Sequence, residues 1–251
     1  KIRLKKKILF LFLILIGISF TDYSISASKT KRVSFNVLLI TIDTIRPDRL
    51  SCYSTKYLQT PRIEALAAKG VVFDRAFAHN PTTLPSHTNI LLGTTPLHHG
   101  VHDNSNFIVR EEFLNLGGHL KSHGYSTAAF VGAFPLDSRF GLTRGFDVYD
   151  DNYGSTSSEE FSYIERRAEV VVERALNWLD NQNTPWFLWI HCFDPHQRYN
   201  PPEPFKTQYE INPYNGEVAY VDFTLGKLFA YLEKNDMNDN TLIVFTGDHG
   251  E

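Results

Sequence analysis

Three apolar runs in this 251-residue chain end in side chains that can hold a cation or move a proton. NVLLITI runs into Asp43 and Thr44, WFLWIH ends in His191 with Asp194 and His196 close behind, and TLIVFT leads through Gly247 to Asp248 and His249. Two carboxylates and an imidazole make a mixed oxygen and nitrogen donor set suited to one divalent cation. A cation beside a hydroxyl lowers the pKa of that hydroxyl and neutralises an anionic substrate. A single aspartate behind a strand is equally well explained as a turn former. Its recurrence in GDHG at a second strand end favours the metal. A fourth stretch, HNPTTLPSHTNILLGTTPLHHG, supplies hydroxyls and imidazoles around one short apolar run, and in it Thr83 stands just before a helix start expected at Pro85. There Thr83 is either a nucleophile near the positive end of a helix or simply the helix cap.

The elements that must position these groups alternate strand and helix. Asn36 to Ile42 reads as a buried strand. TPRIEALAAKG reads as a helix capped by Thr60, with Pro61 in its first turn and Gly70 as its stop. VVFDRAFA is a second strand candidate. EEFLNLGGHLKSHG is a glycine-weakened helix followed by the strand STAAFVG. Glu159 to Asn181 places Ile164, Ala168, Val172, Ala175, Leu176 and Leu179 on one face, an amphipathic helix feeding the strand Trp186 to His191. A proline-rich loop, Pro195 to Pro213, leads to a helix from Gly216 to about Lys234 and a last strand, Thr241 to Thr246. This order predicts an α/β fold with a mostly parallel central sheet flanked by helices. In such sheets ligands bind outside the carboxyl ends of the strands, so the three strand ends can converge on one site.

The first thirty residues stand apart from that core. KIRLKKK is basic, Ile8 to Phe20 is unbroken apolar sequence, and TDYSISASKT is small and polar. That layout predicts a signal peptide over residues 1–27, cut near Ala27, or else an N-terminal membrane anchor. The apolar run falls short of the roughly 20 residues that span a bilayer. The protein is therefore expected to be exported, periplasmic or extracellular, with membrane attachment possible through this segment. A net charge of −3 gives no sign of nucleic-acid binding. Cys52 and Cys192 are too few for a disulfide scaffold.

NVLLITIDTIRPDRLSCY, TPRIEALAAKGVVFDRAFA, TLPSHTNILLGTTPLHHGVHDN, DPHQRYNPPEPF and TGDHGE, in that order, resemble the sulfatase family of the alkaline phosphatase-like superfamily. The likeness runs over residues 33–251. It implies a catalytic domain incomplete at its C-terminus, since the chain opens on Lys1 and stops directly behind a functional loop. It also implies one divalent ion, Ca2+ by family habit, with Mg2+, Mn2+ or Zn2+ as alternatives, held by Asp43, Thr44, Asp248 and His249. Catalytic roles fall to Thr83, His87 and His196, and substrate contacts to His191 and Arg139, with Arg144 a weaker candidate. His98, His99 and His102 are as well explained as rim or structural residues.

Several positions depart from the family pattern. Sulfatases oxidise a Cys or Ser to formylglycine where this chain has Thr83, and its β-methyl group blocks that oxidation. Thr44 replaces the second of two paired acids, His87 replaces an arginine, and Ala133 and Pro135 replace a lysine and a histidine. The resemblance therefore implies an exported, metal-dependent hydrolase of an anionic sulfate or phosphate ester, with Thr83 attacking directly. The alternatives are a phosphoethanolamine or phosphoglycerol transferase, and a non-catalytic metal-binding homologue.

Overall fold

A computed structural model describes residues 34–153, 165–182 and 185–251. Its centre is a five-stranded sheet built from β1 (Asn36–Ile42), β2 (Ser126–Val131), β3 (Val148–Asp150), β4 (Trp186–Cys192) and β5 (Thr241–Gly247). The strand order is β3-β2-β4-β1-β5 and every pairing is parallel, as the alternation of elements requires. Helices α1 (Pro61–Ala68), α2 (Thr83–Leu92), α3 (Pro96–His99), α4 (Leu116–Ser122), α5 (Ala168–Leu179), α6 (Phe205–Gln208) and α7 (Pro213–Lys234) surround it.

The period-two geometry of the strands sorts their side chains into two cores. Leu38, Ile40 and Ile42 of β1, with Trp186, Leu188 and Ile190 of β4, pack against Val171, Val172 and Ala175 of α5 and Val218, Leu225 and Leu228 of α7. The intervening residues Leu39, Phe187 and Trp189 face the other way, towards Leu84 and Leu91 of α2. A fully buried Leu, Ile or Val contributes about 1.5–3 kcal/mol. Burial on both faces explains why β1 and β4 are continuous apolar runs. The same alternation sends Thr41 and His191 to the α2 face.

Helix starts depart from the sequence expectation in an instructive way. Thr60 does sit before α1, but its side chain does not cap it. Its Oγ1 accepts from Ser51 N at 2.9 Å, and the first helical amides, Arg62 N and Ile63 N, donate to Asp222 Oδ1 of α7 at 3.1 and 2.9 Å. Helix α5 starts at Ala168, later than expected, where Ala168 N donates to Asp194 Oδ2 at 2.8 Å. The earlier part of that expected helix, from Glu159 through Ile164, lies outside the described residues. Helix α7 starts earlier, at Pro213, because Asn212 caps it and Pro213 suits the first turn.

The strand expected over VVFDRAFA does not form. Residues 71–78 carry no strand, and Val71, Phe73 and Phe77 are exposed. Propensity without a ladder partner does not hold a strand, and none of the described strands pairs with this segment. Cys52 and Cys192 are free thiols. Among the described residues no helix is long and apolar enough to cross a membrane, and the apolar run at Ile8 to Phe20 lies outside them.

Candidate active site

Register brings the chemistry together. Ile42 lies level with Cys192 on β4 and with Gly247 on β5, so Asp43 and Asp248 leave neighbouring strands at one height. The ends are tied by Asp43 N donating to Cys192 O at 3.0 Å and Asp248 N donating to Ile42 O at 3.3 Å. Helix α2 is anchored over them by Ser86 Oγ, which donates to Asp248 O at 2.6 Å. The helix begins at Thr83 rather than Pro85, with Thr82 in the cap position. Thr83 is therefore not the cap, and its buried hydroxyl donates to Asp43 Oδ2 at 3.4 Å.

The donor set fits a cation. Asp248 Oδ1 is occupied by Thr44 N at 3.2 Å and His249 N at 2.7 Å, whereas Asp248 Oδ2 and Asp43 Oδ1 are buried without hydrogen-bond partners. Both of these oxygens lie 3.5 Å from His249 Nε2. His249 Nδ1 is 2.9 Å from Gly250 O, and a carbonyl only accepts, so Nδ1 carries the hydrogen and Nε2 presents its lone pair. Two orphan carboxylate oxygens and one free imidazole nitrogen thus converge on one point, and their ligand atoms lie within 4.8 Å of one another. Burial raises the Asp43 carboxyl, but the hydrogen bond and charge of His191, with His196 and His249, outweigh it and leave it low. Burial, then the charge of Asp43, push Asp248 well above the usual carboxylate range. Two such acids side by side call for a positive charge between them.

Two further buried imidazoles, His87 and His191, form with Asp248 a second group of donors close enough to hold an ion, but their hydrogen bonds place them differently. His87 Nδ1 lies 2.8 Å from Thr83 O and donates to it, while Nε2 lies 3.0 Å from Thr41 Oγ1. Burial, then His191, push His87 down to about 3, so it is a neutral ring with both nitrogens engaged. The ring expected to take a catalytic role in place of the family's arginine thus spends both nitrogens on Thr83 O and Thr41 Oγ1. His191 Nδ1 accepts from Gly132 N at 3.3 Å, which places its hydrogen on Nε2, 3.6 Å from Asp43 Oδ2. His191 therefore offers an N–H to the cluster. Gly132 is required for this approach, because a Cβ there would meet His191 O and Phe193 N at 3.0 Å.

Thr44 sits beside the acids in the left-handed region, φ 48°, a strained conformation for a β-branched residue. Its amide on Asp248 and its carbonyl, which accepts from Tyr214 Oη at 2.8 Å, hold it there, and its buried Oγ1 has no partner. His196 is half-buried on the loop after β4, stacked on Phe193, with Nδ1 2.7 Å from Gln197 O. Arg139 is not brought to the cluster. Its guanidinium pairs with Asp137 at 2.8 Å and lies over Phe134. Arg144 is spent on the carbonyls of Val109 and Arg110. His99 is structural, bonded to Asn89 Oδ1 and Val101 N, while His98 and His102 pack on Phe113 and Phe107. Ala133, where the family pattern has a lysine, is fully buried.

Sequence reasoning passed over Thr41, Trp189 and Ser86, which support the site from behind. The signal was present for Thr41, a lone polar residue inside NVLLITI. It noted Asp194 behind β4 but passed over Glu217 and Arg167, which with Asp194 hold the loop bearing His196. Arg167 Nη1 donates to Asp194 Oδ1 at 3.0 Å, and Asn200 N donates to Glu217 Oε1 at 2.7 Å.

The comparisons agree with this geometry. An ulvan-active sulfatase of Formosa agariphila is 26% identical over 86% of this chain and 50% of its own, so the chain spans half the length of that relative. The phosphonate monoester hydrolase of Agrobacterium radiobacter superposes with a TM-score of 0.73 at 21% identity, over 86% of this chain and 63% of the other. A protein of the alkaline phosphatase superfamily from Vibrio parahaemolyticus superposes with a TM-score of 0.70 at 20% identity, covering 86% and 55%. These two share the fold. The sulfatase family profile matches residues 35–251, which takes in every strand end and the helix bearing Thr83. With the parallel sheet, the ordered motifs and the paired acids all in that span, the chain belongs to the sulfatase family.

Proposed function

We propose that this chain carries the centre of a metal-dependent hydrolase that transfers the anionic group of a sulfate or phosphate ester to Thr83 Oγ. The observation that carries this reading is the Thr83 hydroxyl, 3.4 Å from Asp43 and beside the orphan oxygens of Asp43 and Asp248. Asp43, Asp248 and His249 would hold the cation, with Thr44 Oγ1 as a further oxygen at hand. Bound there, it supplies charge neutralisation and a lowered pKa for the hydroxyl. Because one donor is an imidazole, Mn2+ or Zn2+ suits the set better than Ca2+, which takes oxygen ligands.

Thr83 gives its proton towards Asp43 Oδ2, and its oxygen bonds to the phosphorus or sulfur as the ester oxygen leaves. His196, whose Nδ1 is bonded to Gln197 O, protonates that leaving oxygen through Nε2. His191 Nε2–H donates to an oxygen of the group in transfer. Water then cleaves the threonine ester and frees the inorganic anion. A phosphothreonine is released by such an attack more readily than a threonine sulfate, so the chemistry of Thr83 favours phosphate. The sulfate reading is supported by the family and by the ulvan-active relative. Export through residues 1–27 belongs to the same proposal, and N-terminal sequencing of the secreted protein should find a start near Ala27.

The test is kinetic, with phosphate and sulfate esters of one leaving group and Mn2+, Zn2+ or Ca2+ supplied. Thr83→Ala should lose turnover, and Thr83→Ser should keep part of it. Undiminished activity in Thr83→Ala removes Thr83 from the mechanism, and a strong preference for sulfate shows that its chemistry has been misjudged.

A further inference from the structure

The α2 face of the sheet carries a line of polar groups that an apolar core does not need. Trp189 Nε1 lies 3.0 Å from Thr41 Oγ1, Thr41 Oγ1 lies 3.0 Å from His87 Nε2, and His87 Nδ1 lies 2.8 Å from Thr83 O. Trp189, Thr41 and His87 are fully buried. The chemistry of the two ends fixes the direction of the outer two bonds. An indole N–H only donates, so Thr41 accepts from Trp189, and with the ring hydrogen of His87 on Nδ1 its own hydrogen is available to His87 Nε2. A carbonyl only accepts, so His87 Nδ1 carries the ring hydrogen and gives it to Thr83. The line runs one way, from the middle of β4 to the backbone of the first residue of α2.

We infer that Thr41 and Trp189 are positioning residues for Thr83, acting through the ring of His87; this rests on the reading of Thr83 as nucleophile. Valine, phenylalanine and leucine would fill similar space at positions 41, 189 and 87 without polar groups to satisfy. Each buried group left unpaired costs about 1–3 kcal/mol, so a polar line is an expensive filler. Its benefit lies where it ends. Thr83 sits in the first turn of α2, where the Thr82 side chain makes no cap bond and Asn104 Oδ1 accepts from Leu84 N at 2.7 Å. Gripping its carbonyl from beneath sets the direction of its hydroxyl towards Asp43. Without the Thr41 hydroxyl, the His87 ring is held at one nitrogen only and turns more freely, and Thr83 with it.

Thr41→Val removes the hydroxyl while keeping the shape, and Thr41→Ser keeps the hydroxyl. The protein is labelled with 15N-histidine and its ring nitrogens are read by NMR, alongside kcat and KM on the better of the two esters. In the wild type His87 should show a protonated Nδ1 and a hydrogen-bonded Nε2. Thr41→Val should move the Nε2 resonance to that of an unbonded nitrogen and lower kcat on the order of 10- to 100-fold with KM unchanged. Thr41→Ser should restore both. If Thr41→Val does not fold, Trp189→Phe, which removes only the first donor, should lower kcat in the same direction. Full kcat in a folded Thr41→Val or Trp189→Phe, or an unmoved Nε2 resonance, overturns the inference and leaves Thr83 in place. Activity retained by Thr83→Ala overturns the nucleophile reading instead, and with it the purpose given to the line.

Discussion

Asp248→Asn separates the structural from the electrostatic part of the acid pair. The amide oxygen of asparagine can keep both bonds that Asp248 Oδ1 accepts, from Thr44 N and His249 N, so the turn after β5 stays anchored. The change falls on Oδ2, which has no partner and faces Asp43 across a gap of at most 4.8 Å. Two full charges at that distance repel by about 3 kcal/mol at an effective dielectric constant near 20. A proton on Asp248, whose pKa is raised by burial and Asp43, relieves part of this in the metal-free wild type. Neutralising Asp248 should therefore stabilise the metal-free protein by about 1–3 kcal/mol, roughly 2–10 °C in Tm for a domain of this size. Saturating cation offsets that advantage. At a hundred times its Kd a cation adds about 2.7 kcal/mol to the wild type, and it should add nothing to the variant. The assay is thermal unfolding of both proteins in EDTA and in Mn2+, Zn2+ or Ca2+. An Asn variant that melts below wild type in EDTA and still gains with cation would refute the reasoning.

Three other perturbations test the supporting structure. Glu217 is pushed up to about 8 by burial, then by Asp194, so the native state holds a proton that the unfolded chain releases at ordinary carboxylate pH. Its stabilising effect is complete below about pH 4 and is lost as pH rises towards 8, by at most about 1.4 kcal/mol per pH unit. Glu217→Gln should flatten that decline, so its Tm gains on wild type between pH 5 and pH 8; parallel curves would count against the assignment. Asp222→Ala should lower stability by about 1–2 kcal/mol by uncapping α1, and Asp222→Asn should recover most of it, both read by urea unfolding. Gly132→Ala should disturb the contact with His191 and weaken turnover more than Gly93→Ala, which lies at the far end of α2 in a left-handed C-cap with open space around it.

What the sequence made legible follows from where the information lies. The runs Asn36 to Ile42 and Trp186 to His191 are buried on both faces, so composition alone names them as strands. Parallel order then lines up Asp43, His191 and Asp248 without further detail. The helix starts were less legible, because Thr60 is a good local cap whose hydroxyl is spent on Ser51, while the capping acid, Asp222, comes from a distant helix. Residues 71–78 have strand composition but no partner strand, and pairing is not a property of a segment by itself. The ring tautomers of His87, His191 and His249 were not legible, although His249 was named as a ligand and His191 as a substrate contact. All three are histidines close to the acids, and only the partner of one ring nitrogen decides whether the other is a donor, an acceptor or a ligand.

The most direct test of the account is to look for the covalent adduct on Thr83. The protein is mixed with a phosphate ester and with a sulfate ester in the presence of cation, quenched in acid within the first turnover, digested, and read by mass spectrometry. The account expects the peptide containing Thr83 to gain the mass of the transferred group on Thr83 itself, and expects no gain in EDTA or in Thr83→Ala. Turnover with Thr83 unmodified at every quench time and full activity in Thr83→Ala would contradict it.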